Sequence, residues 1–192
     1  GDQAEAWDEA GLFLDEERQR GELFKDPAVL RYVSRLQAML AEQAVVGKSN
    51  SVADLVKTTY RELLGGEEAN YRIPDTRQGV AQCLITYQNS HRAGDVWHFV
   101  TPDYRSASLW VQLKSGDNQD MSRVVAAVNA FIAREPPPAA LRPDWFGLTY
   151  INVIWQDKMV WGMLQSFLGS FLVVFLLMVI LFRSVLWGLL SM

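Results

Sequence analysis

One cysteine, two histidines and no glycine-rich phosphate loop leave this 192-residue chain short of the usual chemical tools. A single thiol, Cys83, excludes an intrachain disulfide. Val80, Leu84 and Tyr87 share its helical face, which reads as a buried, inert core position. His91 and His98 sit in a polar, Gly-containing loop without the Cys/His spacing of a metal centre, so no metal is expected. No nucleophile stands beside a base in a recognisable motif. Asp75-Thr76-Arg77 and Asp103-Tyr104-Arg105 join opposite charges in turn-like contexts, where surface pairing or capping is the natural role. The expectation is therefore no enzyme, no catalytic residue and no cofactor. Positive charge is not in excess either. Ahead of Val160 there are 17 Lys+Arg against 22 Asp+Glu, a net charge of −5 that argues against nucleic acid as a partner.

The most telling absence is charge in residues 160–182. These 23 residues (VWGMLQSFLGSFLVVFLLMVILF) carry none, and Arg183 ends the run. At about 1.5 Å of rise per residue, such a helix covers the roughly 30 Å hydrocarbon core of a bilayer. The run follows 159 residues of mixed sequence, a position that does not suit a secretory signal. Gln165, Ser166 and Ser170 are mild polar residues suited to helix–helix contact, and no ionisable group lies in the span. A second apolar stretch, SVLWGLLSM, opens at Ser184, so the chain reads as a fragment or truncated form of a larger polytopic protein. Arg183 lies in the short turn between the two stretches, while Asp157 and Lys158 flank the other end. The positive-inside rule then puts Arg183 in the cytoplasm and residues 1–158 outside, with Trp161 and Trp187 near the two interfaces.

Along the remainder, residues 1–25 are charged and poorly patterned, a loop or the remnant of a strand. Residues 26–106 read as mainly helical. Asp26-Pro27 opens a helix with Leu30, Val33, Leu36 (or Gln37) and Leu40 at helical spacing. Ser51-Val52-Ala53-Asp54 resembles a capping box, followed by a stripe of Val52, Leu55, Val56 and Leu63 and a Gly65-Gly66 stop. Pro74-Asp75-Thr76 starts a third helix. In residues 107–158 the period changes. Residues 108–113 alternate, with Leu109, Val111 and Leu113 on one face, as a half-buried strand should. Met121, Val124, Val125, Val128 and Ile132 mark an amphipathic helix ended by Glu135 and Pro136-Pro137-Pro138. Residues 145–150 (WFGLTY) read as a second strand. Strand, helix and strand with short connections predict a βαβ unit with parallel strands and a right-handed crossover. That unit leads directly into a membrane helix at 159–183, with the start of a second span at 184–192.

The order of motifs resembles one family. It runs Lys25-Asp26-Pro27, then Val46-Gly47-Lys48 and Ser51-Val52-Ala53-Asp54, then Tyr71-Arg72-Ile73-Pro74-Asp75-Thr76-Arg77. Asp103-Tyr104-Arg105, Phe146-Gly147-Leu148 and the turn Leu181-Phe182-Arg183-Ser184 follow. Over residues 25–192 this is similar to the MMPL-type branch of the resistance-nodulation-division (RND) superfamily, which includes hopanoid-type lipid transporters. The resemblance implies an α+β fold: an extracytoplasmic porter domain with a ferredoxin-like βαβ subdomain and added helices, followed by a transmembrane α-helix. It implies a multi-pass protein of the bacterial inner membrane, driven by protons and exporting hydrophobic or lipid-like substrates. The family carries its proton-relay acid on a later membrane helix, so no coupling residue is assigned here.

The partners this reading implies are the lipid bilayer, a hydrophobic or lipid-like substrate, the remaining membrane helices of the same transporter and a second copy in a homo-oligomer. The aromatic residues Trp97, Phe99, Trp110, Trp145 and Phe146 could line an apolar substrate cleft, with core packing as the simpler role. A sensor or scaffold domain on a membrane anchor is the competing class. A second apolar stretch favours the transporter.

Overall fold

A computed structural model describes residues 21–190, and the chain divides between Pro143 and Asp144 into two compact units. The class is α+β: helices, a small two-stranded sheet and one long apolar C-terminal helix.

In the first unit each helix starts where its sequence supplies a cap. Asp26 Oδ1 accepts from the Ala28 amide at 2.7 Å and Pro27 takes the first position of α1 (Pro27–Ala41). Ser51 and Asp54 form a complete capping box on α2 (Val52–Leu63). Thr76 caps α3 (Arg77–Gln88) through the Gly79 amide at 3.1 Å. Gly79 is required there, since a Cβ would come within 2.8 Å of the Pro74 ring. Asp117 caps α4 (Asn118–Arg134).

Two strands complete the unit. β1 (Val46–Asn50) and β2 (Trp110–Leu113) pair antiparallel, from Val46 opposite Leu113 to Asn50 opposite Trp110, with an irregularity between Val46 and Lys48. The main core gathers Val29 and Leu30 of α1, Val52 and Val56 of α2, Val80, Cys83 and Leu84 of α3, and Val96 and Val100 beyond it. Cys83 is fully buried, as expected, and burial pushes its thiol up to about 11. Leu63 departs from the expected α2 stripe and is 47% exposed, because the helix ends there at Leu64 before Gly65 and Gly66, both at positive φ. Met121, Val124, Val128 and Phe131 bury the inner face of α4, with the Tyr32 ring of α1 5.6 Å from Phe131. The Tyr32 hydroxyl donates to the Glu135 carbonyl at 2.9 Å, tying the end of α4 to α1.

Polar side chains bind these elements together. Ser51 Oγ accepts from the Ala53 amide at 3.1 Å and donates to Gln37 Oε1 at 2.8 Å. Gln37 Nε2 donates to Asp54 Oδ2 at 2.5 Å, and Lys57 pairs with the same carboxylate at 3.1 Å. Gln37, rather than Leu36, is therefore the buried residue on the α1 face, because it has partners for its amide.

The expected βαβ unit is not formed. Residues 145–147 are irregular, and from Leu148 the chain is helical without interruption to Phe182 as α5 (Leu148–Phe182). Aromatic and β-branched residues favour a strand locally, but extending an existing helix avoids the nucleation cost that a separate element would incur. Gly147, at φ 119°, marks the break before it. β2 consequently finds its partner upstream, in the short polar segment Val46–Asn50, and pairs antiparallel rather than parallel. The remainder proposed for residues 1–25 lies outside the described residues up to position 20, and Leu23–Lys25 forms a single 3-10 turn.

In the second unit, α5 spans 35 residues, about 52 Å of helix. It is the one helix among the described residues long and apolar enough to cross a membrane. Arg183 ends it in the left-handed conformation, and α6 (Val185–Leu190) follows. Leu168, Phe171, Leu172, Phe175 and Leu189 line an apolar groove of about 420 Å³ between these helices. Ser170 Oγ donates to the Ser166 carbonyl at 2.9 Å within α5.

Candidate functional site: an aromatic groove beside the sheet

A groove of about 700 Å³ opens on the first unit between the sheet, the end of α3 and the 3-10 segment Ala93–His98. Three aromatic side chains wall it: Tyr87 from the last turn of α3, Phe99 just beyond the 3-10 segment, and Trp110 at the start of β2. Asn50, Val111 and Gln112 come from the paired strands, Asp95 and His98 from the 3-10 segment. Strand pairing explains the first set, since Asn50 and Trp110 are direct partners across the ladder. The Trp110 indole N–H donates to the His98 carbonyl at 3.1 Å, which fixes the ring across the groove while 52% of the residue stays exposed. Phe99 is half-buried against the main core.

The turn that connects this segment to β2 is held under strain. Tyr104 adopts φ 55°, costly for a bulky side chain. Its surroundings impose that geometry: the Phe24 amide donates to its carbonyl at 3.1 Å, Gln88 Nε2 to its hydroxyl at 2.6 Å, and Lys25 Nζ lies 4.1 Å from its ring centre. Burial raises the phenol above its ordinary value, opposed by the Gln88 hydrogen bond. Asp103 stabilises the same turn by accepting from Thr101 Oγ1 at 2.6 Å and the Arg105 amide at 3.2 Å, and the Thr101 bond chiefly lowers its pKa. Asp75, for its part, bridges Arg31 and Arg72 at 2.5 and 3.0 Å. Asp75 therefore acts in surface pairing and Asp103 in capping its turn.

Of the five aromatic residues expected to form a cleft, the structure brings Phe99 and Trp110 together. Trp97 instead sets its ring 6.2 Å from that of Tyr104. Trp145 and Phe146 belong to the second unit, where Trp145 packs beside Tyr150 with ring centres 6.1 Å apart. Tyr87 and Asp95 escaped the sequence reading. Tyr87 is the last residue of the Cys83 face, and the end of a helix face is where a core residue emerges onto a surface. Chemically the groove offers aromatic faces and a few polar groups, suited to holding an apolar molecule with a polar end. Among the described residues, no three His, Cys, Asp or Glu side chains cluster to hold a metal.

The MMPL family model matches residues 25–192, which covers nearly all of the chain. No curated protein and no solved structure shows significant similarity to it. With a match of that extent, and a helix able to span a bilayer, the chain belongs to the MMPL family of RND-type membrane transporters.

Proposed function

We propose that this chain is the capture part of a proton-driven exporter of hydrophobic or lipid-like molecules, together with a membrane helix of that exporter. The first unit takes substrate at the outer face of a bacterial inner membrane. The observation that carries this reading is the groove walled by Tyr87, Phe99 and Trp110, open to solvent in a member of a transporter family. Its role is binding rather than catalysis, in keeping with aromatic walls and the absence of a nucleophile–base pair among its lining residues.

α5 supplies the mechanical half of the proposal. A helix of about 52 Å exceeds the roughly 30 Å hydrocarbon core, so about 15 residues extend beyond it. A continuous helix is stiff, and protonation of an acid elsewhere in the transporter would shift it as a unit. Arg183 lies on the cytoplasmic side in this reading, with residues 1–158 outside. A ferredoxin-like architecture would require further strands to join the edges of the two-stranded sheet from outside residues 21–190.

The test is transport by the complete transporter in proteoliposomes, with an uncharged fluorescent acylglycerol as cargo and an imposed proton gradient. Replacing both Phe99 and Trp110 by Ala should cut flux about 30-fold, since each aromatic contact is worth on the order of 1 kcal/mol. Unchanged flux in that variant, or flux that survives collapse of the gradient, would contradict the proposal.

A further inference from the structure

Asp95 is the unusual residue of the groove. It is half-buried, yet among the described residues its carboxylate has no ion pair and no side-chain hydrogen bond. The other half-buried carboxylates of the first unit are all engaged. Glu22, Asp54, Asp120 and Glu135 pair with Lys25, Lys57, Arg123 and Arg35, while Asp26 caps α1. No lysine or arginine lines the groove. A negative group partly withdrawn from water, without a countercharge and beside three aromatic faces, is an arrangement that favours a cation. Carboxylate and ring quadrupoles attract the same charge, and partial desolvation strengthens both. The same unit already uses this chemistry internally, with Lys25 4.1 Å from the Tyr104 ring centre and Lys57 5.1 Å from that of Tyr71.

We infer that the groove selects amphiphiles with a cationic, ammonium-type head group, held by Asp95 against Tyr87, Phe99 and Trp110, with the apolar tail leaving along the aromatic wall. The inference rests on the capture reading above and adds to it the sign of the charge. An anionic amphiphile would meet the Asp95 carboxylate with no lysine or arginine in the groove lining to compensate it.

The test uses two water-soluble probes with the same tail, hexyltrimethylammonium and hexanesulfonate. Each is titrated calorimetrically into the full chain in lipid nanodiscs, with empty discs subtracted. The ammonium probe should bind about tenfold more tightly than the sulfonate. Asp95→Asn, nearly the same shape, should reduce that preference to less than threefold, and Asp95→Glu should retain it. Protection of Cys83 from alkylation confirms that each variant is folded. If the probes bind equally, or Asp95→Asn leaves the preference intact, the cationic selectivity is overturned. If Phe99→Ala/Trp110→Ala still abolishes binding of both probes in that case, the capture reading survives alone. Binding of neither probe to the unaltered chain overturns both.

Discussion

Replacing Ser51 by Ala removes one oxygen from the point where α1, β1 and α2 converge, and the structure sets the size of the effect. Ser51 is 2% exposed and Gln37 8%. The hydroxyl is both the N-cap of α2 and the donor to Gln37 Oε1. Losing the cap costs about 1 kcal/mol, and leaving the Gln37 carbonyl buried without a donor adds about 1–2 kcal/mol. The total is about 2–3 kcal/mol. The single cysteine offers an assay confined to this unit, because Cys83 is fully buried in its core and reacts only when that core opens. Where opening and closing are fast relative to labelling, a loss of 2–3 kcal/mol accelerates alkylation about 30- to 150-fold. Thr76→Ala removes an exposed cap with no buried partner and should accelerate it only about fivefold. An increase below threefold for Ser51→Ala, or one no larger than that of Thr76→Ala, would refute the network as an energetic unit.

Three further outcomes follow from the same structure. Burial moves the Cys83 thiol from 9.0 to about 11, so the folded state keeps a proton that the unfolded state releases. Stability is therefore unaffected below pH 9 and falls by up to about 2–3 kcal/mol between pH 9 and 11, and a Cys83→Ala variant should lack that slope in urea unfolding. A topology reporter fused after Arg183 should behave as cytoplasmic and one in the 88–94 loop as extracytoplasmic, and the reverse pattern would overturn the orientation. Several Gly-Ser residues inserted after Lys158 interrupt α5 and should uncouple transport while Cys83 stays protected, because flexible linkers transmit little force. Full export by that variant would remove the lever from the mechanism.

The first three helices were legible because two independent signals coincided in each. Asp26-Pro27, the Ser51–Asp54 box and Pro74-Asp75-Thr76 mark starts, and apolar residues at helical spacing follow each of them, whereas α4 was legible from its apolar spacing alone. β2 was legible from its alternation. β1 was not, since Val46–Asn50 (VGKSN) is short and polar, and only its pairing with Trp110–Leu113 makes it a strand. The error at residues 145–150 has the opposite cause. Local strand preference there yields to the long helix that follows, an influence from outside any short window. The groove was half legible: Phe99 and Trp110 stand out as aromatic, whereas Asp95 acquires meaning only from the lack of a countercharge in space.

Photo-crosslinking tests the capture of substrate most directly. A diazirine-bearing alkylamine is irradiated with the complete transporter in proteoliposomes, and the labelled peptides are mapped by mass spectrometry. Labels are expected at Tyr87, Phe99 and Trp110, absent from Trp97 and lost on competition with unlabelled amphiphile. Labels confined to residues 160–182, with none in the groove, would contradict it.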